Sequence, residues 1–469
     1  MTARRVVVVV GGGLAGISAS IGLADAGFEV TMLEARPRLG GAASSYLRGG
    51  LTVDNGQHVF LRCCDSYRGL LDRLGATGSV SLQERFDVTV LSERGRARLR
   101  RTNWPAPLHL GPALASYRLL SLPERLRVGR AALGMRFLDP ASPDADVQSL
   151  GDWLAARGQS ERARRALWDL FVVSALNIGG DEASLSLAAT VIKTGLLGDR
   201  GAADIGTASV PLGEIHGRAA AGLLARLGVR VVLGAKVASV RPDGEGGFTV
   251  ALVPGRGAAA QPGPGSLEAE GVVLAVPSWQ AGDLAGPAGV TDASRWRELG
   301  ASPIVNVHVI YDRPVTDLPF AAAVDSPVQW VFDKTTHAGL ATGQYLAISL
   351  SAAGEYIDVP RARMREIFVP ALERLFPAAA SATITDFFVT RERRATFSQA
   401  PGCVAIRPGA ATSVPGLVLA GSWTDTGWPD TMEGAVRSGQ SAAQELTAEL
   451  RHAATGQRPA APASFGAAS

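Results

Sequence analysis

Three glycines and one acidic residue near the start of the chain have the spacing of a dinucleotide-binding site. Gly11, Gly13 and Gly16 follow the valine run 6–10, and Glu34 comes about twenty residues later. An unbroken valine run is typical of a strand buried on both faces of a parallel sheet. The glycines allow a tight turn, an approach of backbone to pyrophosphate and close helix packing, and the carboxylate accepts from ribose hydroxyls. The alternative is a purely structural glycine turn.

A glycine doublet, Gly40-Gly41, follows the acidic residue and lets a second loop approach the pyrophosphate, with Arg36 or Arg38 offsetting its charge. This arrangement resembles the flavin-binding superfamily of amine oxidases and carotenoid desaturases, in which the doublet accompanies FAD rather than NAD. The resemblance implies an α/β fold: a Rossmann-like FAD-binding domain of the amine oxidase/desaturase type with an interleaved α+β substrate domain.

The segment 427–439 contains the pattern M-E-G-A-V-x-S-G, which resembles the same superfamily. A helix that starts near Thr431 would point its free N–H groups at the pyrimidine edge of the flavin and stabilise negative charge there. Small residues in the pattern let the flavin lie close. An ordinary amphipathic helix with small residues is the alternative.

From these motifs and the resemblance we expect a set of FAD contacts spread over the whole chain. They are Gly11, Gly13, Leu14, Ala15, Gly16, Glu34, Ala35, Arg36, Gly40, Gly41, Ala42, Gly56, Gln57, Val237, Gly421, Ser422, Thr431, Met432, Glu433 and Ala435. One position departs from the superfamily, which has G-D-W-T where this chain has Gly421-Ser422-Trp423-Thr424. Serine hydrogen-bonds more weakly than a carboxylate, and Asp425 is the residue expected to compensate.

The segment 53–60 contains D-N-G-Q-H-V, which resembles the signature of the hydroxysqualene dehydroxylases, FAD enzymes of bacterial hopanoid pathways. Segments 106–109, 176–177, 302–308, 329–332 and 392–397 are similar to that family too, and the similarity spans about 1–450. The resemblance implies that a long isoprenoid, hydroxysqualene, loses its hydroxyl group to give squalene at the expense of reduced FAD.

This chemistry requires a polar group beside the hydroxyl in an otherwise apolar, long site. His58 is the first candidate, in a loop that the family places near the flavin, with Asn55 in the same cluster. Asp430, before the flavin-facing helix, is the second. Each has a plain alternative: His58 braces its loop or touches the cofactor, and Asp430 is the N-cap of the helix. Direct roles are also open for Asn177, Asn306 and His308, which otherwise brace a helix end or line the polar side of a strand.

Three rival functions share parts of this pattern. Polyprenoid desaturation of the carotenoid or phytoene type runs the flavin in the opposite direction. Amine oxidases usually hold a water at the flavin through a lysine on a substrate-domain strand, but the strand around Asn306 has none. Non-enzymatic prenyl-binding relatives, such as the Rab escort proteins, lack working flavin chemistry, whereas the fingerprint here is intact. No second convincing G-x-G-x-x-G unit suggests NADPH, so the external reductant is left unassigned.

Composition indicates a globular protein of two domains. The 469 residues are 46% hydrophobic and 19% charged, and the net charge of +3 gives no indication of nucleic-acid binding. Cys63, Cys64 and Cys403 show no metal-ligand spacing and favour a reduced, cytoplasmic location. Glycines interrupt the N-terminal apolar run, so it predicts a strand rather than a signal peptide, and no apolar run is long enough to span a membrane.

The pattern of elements predicts that the two domains interleave. The FAD-binding domain takes residues 1–80, 205–285 and 401–450, the substrate domain takes 81–204 and 286–400, and 451–469 form a disordered tail. Alternating residues 304–310 predict a half-buried strand. The Gly/Ala/Pro-rich stretch 254–271 predicts a loop.

A basic stretch, 108–138, interleaves apolar residues with Arg118, Arg125, Arg127, Arg130 and Arg136. An amphipathic helix of this kind can lie on an anionic bilayer and open a route for a lipid, which predicts peripheral contact with the inner face of the membrane. The alternative is an ordinary domain helix with a solvated arginine face. Pro123 divides the stretch in two.

Overall fold

A computed structural model describes residues 5–254 and 265–455 of the chain. Its strands are β1 (Val6–Val10), β2 (Glu29–Glu34), β3 (Ser45–Arg48), β4 (Leu51–Asp54), β5 (Val59–Leu61), β6 (Val80–Leu82), β7 (Asp87–Ser92), β8 (Gly95–Arg100), β9 (Ile205–Ala208), β10 (Arg230–Leu233), β11 (Val237–Pro242), β12 (Phe248–Leu252), β13 (Ser266–Ala269), β14 (Gly271–Leu274), β15 (Ser302–Tyr311), β16 (Phe320–Ala323), β17 (Trp330–Asp333), β18 (Gln344–Leu350), β19 (Ile384–Thr396) and β20 (Leu417–Leu419).

The α-helices of the same ranges are α1 (Leu14–Asp25), α2 (Asp65–Leu74), α3 (Gly111–Ala115), α4 (Leu122–Arg136), α5 (Pro143–Val147), α6 (Leu150–Ala155), α7 (Glu161–Ala163), α8 (Asp169–Leu176), α9 (Leu185–Val191), α10 (Ala220–Arg226), α11 (Ser278–Ala285), α12 (Thr335–Ala338), α13 (Arg361–Leu375) and α14 (Met432–Thr455). Segments Arg164–Trp168, Ile192–Leu197 and Gly213–Ala219 are π-helical. No helix in the described ranges is long and apolar enough to cross a bilayer.

A five-stranded parallel sheet gathers strands from four distant parts of the chain, in the order β10-β2-β1-β14-β20. The valine run forms β1 at its centre. Val7 and Val9 pack into the core that contains α1 and α14, whereas Val8 and Val10 pack into the core on the opposite face. The prediction of a strand buried on both faces is therefore confirmed, and the fold is of the predicted α/β class.

A seven-stranded sheet, in the order β19-β15-β18-β17-β16-β7-β8, forms the centre of the second region. The segment between β8 and β15 supplies most of the helices. β7 and β8 precede this segment, and the other five strands of the sheet follow it. Val305, Val307 and Val309 of β15 pack against Phe368 and Leu372 of α13, so the residues at even positions of β15 point to the other side of the sheet. The shared sheet agrees with a substrate domain in two pieces, whose boundaries stay a prediction.

Two sequence predictions about irregular segments need correction. Residues 266–269 form β13, because the antiparallel partner β12 pairs with them; the rest of the predicted loop, 255–264, lies outside the described residues. The predicted tail begins too early, because α14 continues to Thr455 through residues that favour helix. The remainder of that tail, 456–469, lies outside the described residues. Cys63, Cys64 and Cys403 are free.

Candidate cofactor and substrate site

The glycine loop lies between β1 and α1, where the backbone turns sharply. Gly11 has a φ of +112°, and its N–H donates to the carbonyl of Leu33 at the end of β2 (2.8 Å). A Cβ on Gly16 would lie 1.9 Å from the carbonyl oxygen of Gly11, so only glycine lets α1 approach the strand this closely. Gly13 caps α1 without a side-chain hydrogen bond, which leaves the first helical N–H groups available to an anion.

Gly13 and Gly41 face each other where two loops cross. The N–H of Gly40 donates to the carbonyl of Gly12 (2.9 Å) and ties the second loop to the first. Gly41 has a φ of +57°, and a Cβ there would lie 3.0 Å from the Cα of Gly13. Gly13 has an ordinary φ of −77°, and a Cβ there would meet only the Cα of Gly41, at 3.8 Å. The crossing thus presents bare backbone, which fits the pyrophosphate of FAD.

Glu34 ends β2 beside this crossing, as the sequence predicts, and is almost fully buried. Its carboxylate accepts hydrogen bonds from the N–H groups of Gly12 (2.7 Å) and Arg36 (2.6 Å). Arg36 donates in turn to the carbonyl of Gly41 (3.3 Å). The acidic residue therefore holds both glycine loops in place, and its contact with a ribose stays a prediction.

Helix α14 reaches the glycine loop from the other side. A Cβ on Gly439 would lie 2.2 Å from the carbonyl oxygen of Ala15, so α14 packs directly on α1. The hydroxyl of Ser438 accepts from the N–H of Gly421 at the end of β20 (2.8 Å). The start of α14 is thereby held at the same edge of the sheet as the fingerprint. Other predicted contacts lie in the first turn of α1 (Leu14, Ala15), after β2 (Ala35), after the doublet (Ala42), at the start of β11 (Val237) and in the first turn of α14 (Met432, Ala435).

Asp430 precedes α14 but does not cap it. The cap is Thr431, whose hydroxyl accepts from the N–H of Gly434 (3.2 Å). The carboxylate of Asp430 accepts instead from the N–H of Phe397 (2.9 Å) and from the hydroxyl of Ser422, and burial raises its pKa. Ser422 is therefore bound by Asp430, whereas the predicted compensator Asp425 accepts from the N–H of Gly427 in an exposed turn. A catalytic role for Asp430 stays a prediction.

Glu433, in the first turn of α14, points its side chain toward α2. It is 1% exposed and accepts from the N–H groups of Ser66 (3.1 Å) and Tyr67 (2.7 Å) at the start of that helix. Arg437, one turn later, also donates to it (2.6 Å). The carboxylate thus serves as a cap for α2, and contact between Glu433 and FAD stays a prediction.

The loop 55–58 joins β4 to β5 and lies beside the glycine doublet. The side-chain amide of Asn55 donates to the carbonyl of Ala42 (3.2 Å). Gly56 has a φ of +104°, and Nδ1 of His58 lies 3.3 Å from its carbonyl oxygen; Gln57 between them is half-buried. Burial lowers the pKa of His58, which favours the neutral form of its imidazole.

Strand β15 brings Asn306 against this loop. Nδ2 of Asn306 lies 3.6 Å from the point where a Cβ of Gly56 would be, and Cε1 of His58 lies 3.5 Å from the same point. Asn306 is 3% exposed, yet its Oδ1 has no hydrogen-bond partner within the described part of the chain. Buried polar atoms normally have partners. The structure therefore brings two sequence candidates together at Gly56 and leaves the buried Oδ1 of Asn306 without a partner in the described part of the chain.

Cross-strand pairing puts aromatic rings on the same side of the sheet as Asn306. Asn306 pairs with Ser349, and Ser349 pairs with Trp330. Directly paired residues point to one face, as does Phe332, two residues beyond Trp330. Phe320 pairs with Phe332, and the three ring centroids are 6.1 to 6.4 Å apart. A polar end and an aromatic surface thus lie on one face of one sheet.

His308 makes a separate polar cluster on β15. Its ring nitrogens lie 2.7 Å from the Tyr345 hydroxyl and 3.1 Å from the Thr390 hydroxyl, and its ring stacks on Phe388 at 4.3 Å. His308 is fully buried. The prediction that 304–310 form a half-buried strand is therefore wrong, because both sides of the strand are covered: His308 has partners on the neighbouring strands, and Asn306 is buried beside the loop 55–58.

Asn177 braces a helix end, which confirms the structural alternative. It ends α8 in the left-handed conformation, with φ of +52°. Its amide nitrogen donates to the carbonyl of Ser302 (3.1 Å) and the hydroxyl of Thr396 (3.0 Å), and its Oδ1 accepts from the N–H of Ala352 (2.7 Å).

A buried charged cluster around Asp54 was missed by sequence reasoning. Asp54 accepts from the hydroxyl of Ser45 (2.7 Å) and from Nε2 of His337 (2.6 Å), and Nζ of Lys334 lies 3.3 Å away. Burial raises the pKa of Asp54, but the His337 hydrogen bond and the Lys334 charge outweigh it and hold the pKa well below its usual range. No spacing links these residues. The one available signal was the position of Asp54 immediately before the loop 55–58.

Two buried histidines predict a loss of stability in mild acid. Burial lowers the pKa of His216 to about 4 and that of His308 to about 3. The unfolded chain takes up these protons below about pH 6.5 and the folded chain does not, so the free energy of unfolding falls as the pH drops. We expect a loss of about 2 kcal/mol per histidine at pH 5, since one pKa unit corresponds to about 1.4 kcal/mol.

Chemical denaturation at pH 7 and pH 5 measures this loss, and His308→Gln tests its origin. The variant removes one of the two groups, so its stability should change less between the two pH values than that of the unchanged protein. Equal pH dependence in both proteins would show that His308 takes up its proton without unfolding.

Comparisons with known proteins agree with this geometry. The family described as flavin containing amine oxidoreductase matches residues 14–447. Hydroxysqualene dehydroxylase of Rhodopseudomonas palustris is 30% identical to this chain and covers 95% of it and 99% of its own length. The zeta-carotene desaturase of Zea mays is 26% identical, covering 92% of this chain and 82% of its own. Cyclohexylamine oxidase from Brevibacterium oxydans superimposes with a TM-score of 0.70 at 21% identity, covering 96% of this chain and all of its own, and shows the shared fold.

Proposed function

We propose that this chain, which belongs to the flavin containing amine oxidoreductase family and is an FAD-dependent oxidoreductase, removes the hydroxyl group of hydroxysqualene to give squalene. The similarity to the Rhodopseudomonas palustris dehydroxylase supports this, because it extends over nearly the full length of both proteins. The similarity to a carotene desaturase is weaker and favours desaturation of a polyprenoid as the second candidate.

The observation that carries the proposal is the meeting of His58 and Asn306 at Gly56. The unpartnered Oδ1 of Asn306 accepts the hydrogen of the substrate hydroxyl. Nδ1 of His58 faces the carbonyl of Gly56, which can only accept, so Nε2 is the nitrogen that takes up a proton and donates it to the hydroxyl oxygen. The carbon–oxygen bond breaks as the hydroxyl oxygen receives the proton that His58 has taken from solvent, and the oxygen leaves as water. Bound FAD, in its reduced form, supplies the hydride that replaces it on carbon.

The aromatic surface of Phe320, Trp330 and Phe332 supports a long isoprenoid as substrate. These rings lie on the face that carries Asn306. Trp330 and Phe332 are two strands away from it and Phe320 is three, which is about 10 Å and about 14 Å at the usual strand spacing. An isoprenoid bound along this face would keep its hydroxyl at Asn306 and its hydrocarbon chain on the rings. Amine oxidation lacks this support, because Lys334 is engaged by Asp54 and no lysine lies on β15.

His58→Ala should lower turnover of hydroxysqualene by roughly 100-fold, the size expected when a hydrogen-bonding catalytic group is removed. The protein should still purify with FAD, since the glycine loops are untouched. Turnover and the bound flavin absorbance are measured on the same sample. Loss of FAD from the variant would instead assign His58 to cofactor binding.

A comparison of two substrates in two redox states tests the proposed reaction. Hydroxysqualene is offered with dithionite-reduced FAD, and zeta-carotene or phytoene with oxidised FAD, under otherwise identical anaerobic conditions. Squalene formed only in the first mixture supports dehydroxylation. A newly formed double bond in the second mixture, with no squalene in the first, overturns it in favour of desaturation.

We further propose that the protein works in the cytoplasm, in peripheral contact with the inner face of the membrane that holds its lipid substrate. Three free cysteines support a reducing compartment. An external donor must regenerate the reduced flavin after each turnover.

A further inference from the structure

Helix α4 has apolar side chains on its exposed side as well as on its buried side. Its inner side is formed by Val128, Ala131 and Met135. Leu122, Leu126, Leu133 and Phe137 are 64%, 64%, 54% and 82% exposed. At about 100° per residue these four fall within about 60° of arc, opposite the buried side. We call this set the α4 stripe; contiguous exposed apolar surface of this kind marks an interaction site.

The start of the helix explains why the stripe is continuous. Ser121 and Glu124 form a capping box, and Pro123 occupies the first turn, where proline is tolerated. Pro123 therefore begins α4 instead of breaking it. The helix runs for 15 residues, about 22 Å, which is long enough to lie along a bilayer surface.

Arginines flank the α4 stripe on both sides. By the same helical geometry Arg130 and Arg127 fall on one side of it and Arg136 falls on the other. All three are exposed, and their side chains have no hydrogen bond or ion pair among the described residues. Glu124, the one acidic residue of α4, is engaged by the hydroxyls of Ser121 and Ser160. The charge that α4 itself presents beside the stripe is therefore positive.

The positive rim selects between possible occupants. A second copy of the chain docked on this face by two-fold symmetry would bring arginines against arginines. An anionic bilayer offers phosphates to the arginines and hydrocarbon to the stripe. Charge complementarity thus favours the bilayer.

A short path connects this helix to the candidate site. α4 packs against the π-helical segment Ile192–Leu197. Within that segment, a Cβ on Gly195 would lie 3.3 Å from Leu61, which is three residues beyond His58. A surface bound to the membrane through α4 would therefore lie one layer of structure away from the reacting group.

We propose that the α4 stripe, with Arg127, Arg130 and Arg136, is the surface by which this protein docks on an anionic lipid bilayer. The apolar side chains enter the headgroup boundary and the arginines bind lipid phosphates. Docking would let a lipid substrate enter the protein from the membrane. Only this use of docking rests on the proposed function; the docking surface itself does not.

Vesicle flotation of the full-length protein tests the docking surface. Vesicles of phosphatidylglycerol and phosphatidylcholine should bind the protein at least ten-fold better than phosphatidylcholine alone, and 0.5 M salt should weaken binding. The triple variant Leu126→Gln/Leu133→Gln/Phe137→Gln and the triple variant Arg127→Gln/Arg130→Gln/Arg136→Gln should each lose at least ten-fold. Leu47→Gln is the matched control, since Leu47 is 79% exposed elsewhere, and it should bind as the unchanged protein does.

The outcomes separate docking from catalysis. Binding by both triple variants equal to that of the unchanged protein, or equal binding to neutral vesicles, overturns the docking surface. So does a dimer in solution that the stripe variant converts to a monomer. Turnover of detergent-dispersed hydroxysqualene should be unchanged in the stripe variant and reduced when the substrate is embedded in vesicles. If the proposed reaction is wrong, no variant turns over substrate, but the vesicle result still stands.

Discussion

Gly13→Ala is expected to fold normally and to lose most of its affinity for FAD. A Cβ at this position meets nothing closer than 3.8 Å in the protein, and the φ of −77° suits alanine. The same Cβ would project from the backbone that a pyrophosphate must approach. We expect the Kd for FAD to rise about 100-fold, equivalent to about 2.8 kcal/mol, measured by titration of the apoprotein.

Two further glycine variants separate cofactor binding from folding. Gly16→Ala puts a Cβ 1.9 Å from the carbonyl of Gly11, so α1 must move and the protein itself should be destabilised. Gly69→Ala in α2 meets nothing within 4 Å and should leave both stability and FAD affinity intact. Unchanged FAD affinity in Gly13→Ala would show that the pyrophosphate does not lie at this loop crossing.

Asp54→Ala is expected to destabilise the protein by about 3–5 kcal/mol, because it leaves buried positive charge unpaired. Asp54 is 3% exposed, and the side chains of Lys334 and His337 that face it are 13% and 8% exposed. The cluster also joins the hairpin β3–β4 to α12, so its loss should loosen the loop 55–58. The free energy of unfolding from chemical denaturation gives the effect.

A surface ion pair provides the matched control for this variant. Asp283 pairs with Arg297, and both side chains are more than half exposed. Asp283→Ala should therefore cost less than about 1 kcal/mol. If Asp54→Ala cost no more than Asp283→Ala, the cluster would not hold the two regions together. The lowered pKa of Asp54 also predicts how stability depends on pH. The ionised carboxylate stabilises the folded protein above about pH 4, and this contribution is lost as the pH falls further.

The cofactor half of the site could be predicted from the sequence because its signals are local. The glycine spacing, the valine run and Glu34 each follow from a backbone requirement within one β–α–β unit. A start of α14 near Thr431 was also predicted from its pattern of small residues, but the expected cap was Asp430, whereas the structure has Thr431 in that role. The contacts of the acidic residues Asp430 and Glu433 could not be predicted. Their carboxylates accept hydrogen bonds from the N–H groups of Phe397 and of Tyr67 at the start of α2, which are distant in sequence.

The substrate half could be predicted only in part, because its contacts join distant segments. Asn306 and His58 were each candidates, but their meeting at Gly56 depends on how the seven-stranded sheet lies against the loop. Lys334 and His337, the partners of Asp54, are far from it in the sequence, and no sequence spacing indicates that they pair with it. Alternation in β15 predicted a solvent-facing side, whereas Tyr345 and Thr390 on the neighbouring strands cover His308. Helix α4 shows the same limit, since the sequence lists its apolar residues but not which of them point outward.

A single anaerobic turnover tests dehydroxylation by reduced FAD most directly. The protein is loaded with one equivalent of chemically reduced FAD and mixed with hydroxysqualene, while the flavin spectrum is followed and the product is measured by mass spectrometry. We expect oxidised flavin to return as squalene forms, with one molecule of squalene for each flavin. Flavin that stays reduced, with hydroxysqualene recovered unchanged, would contradict it.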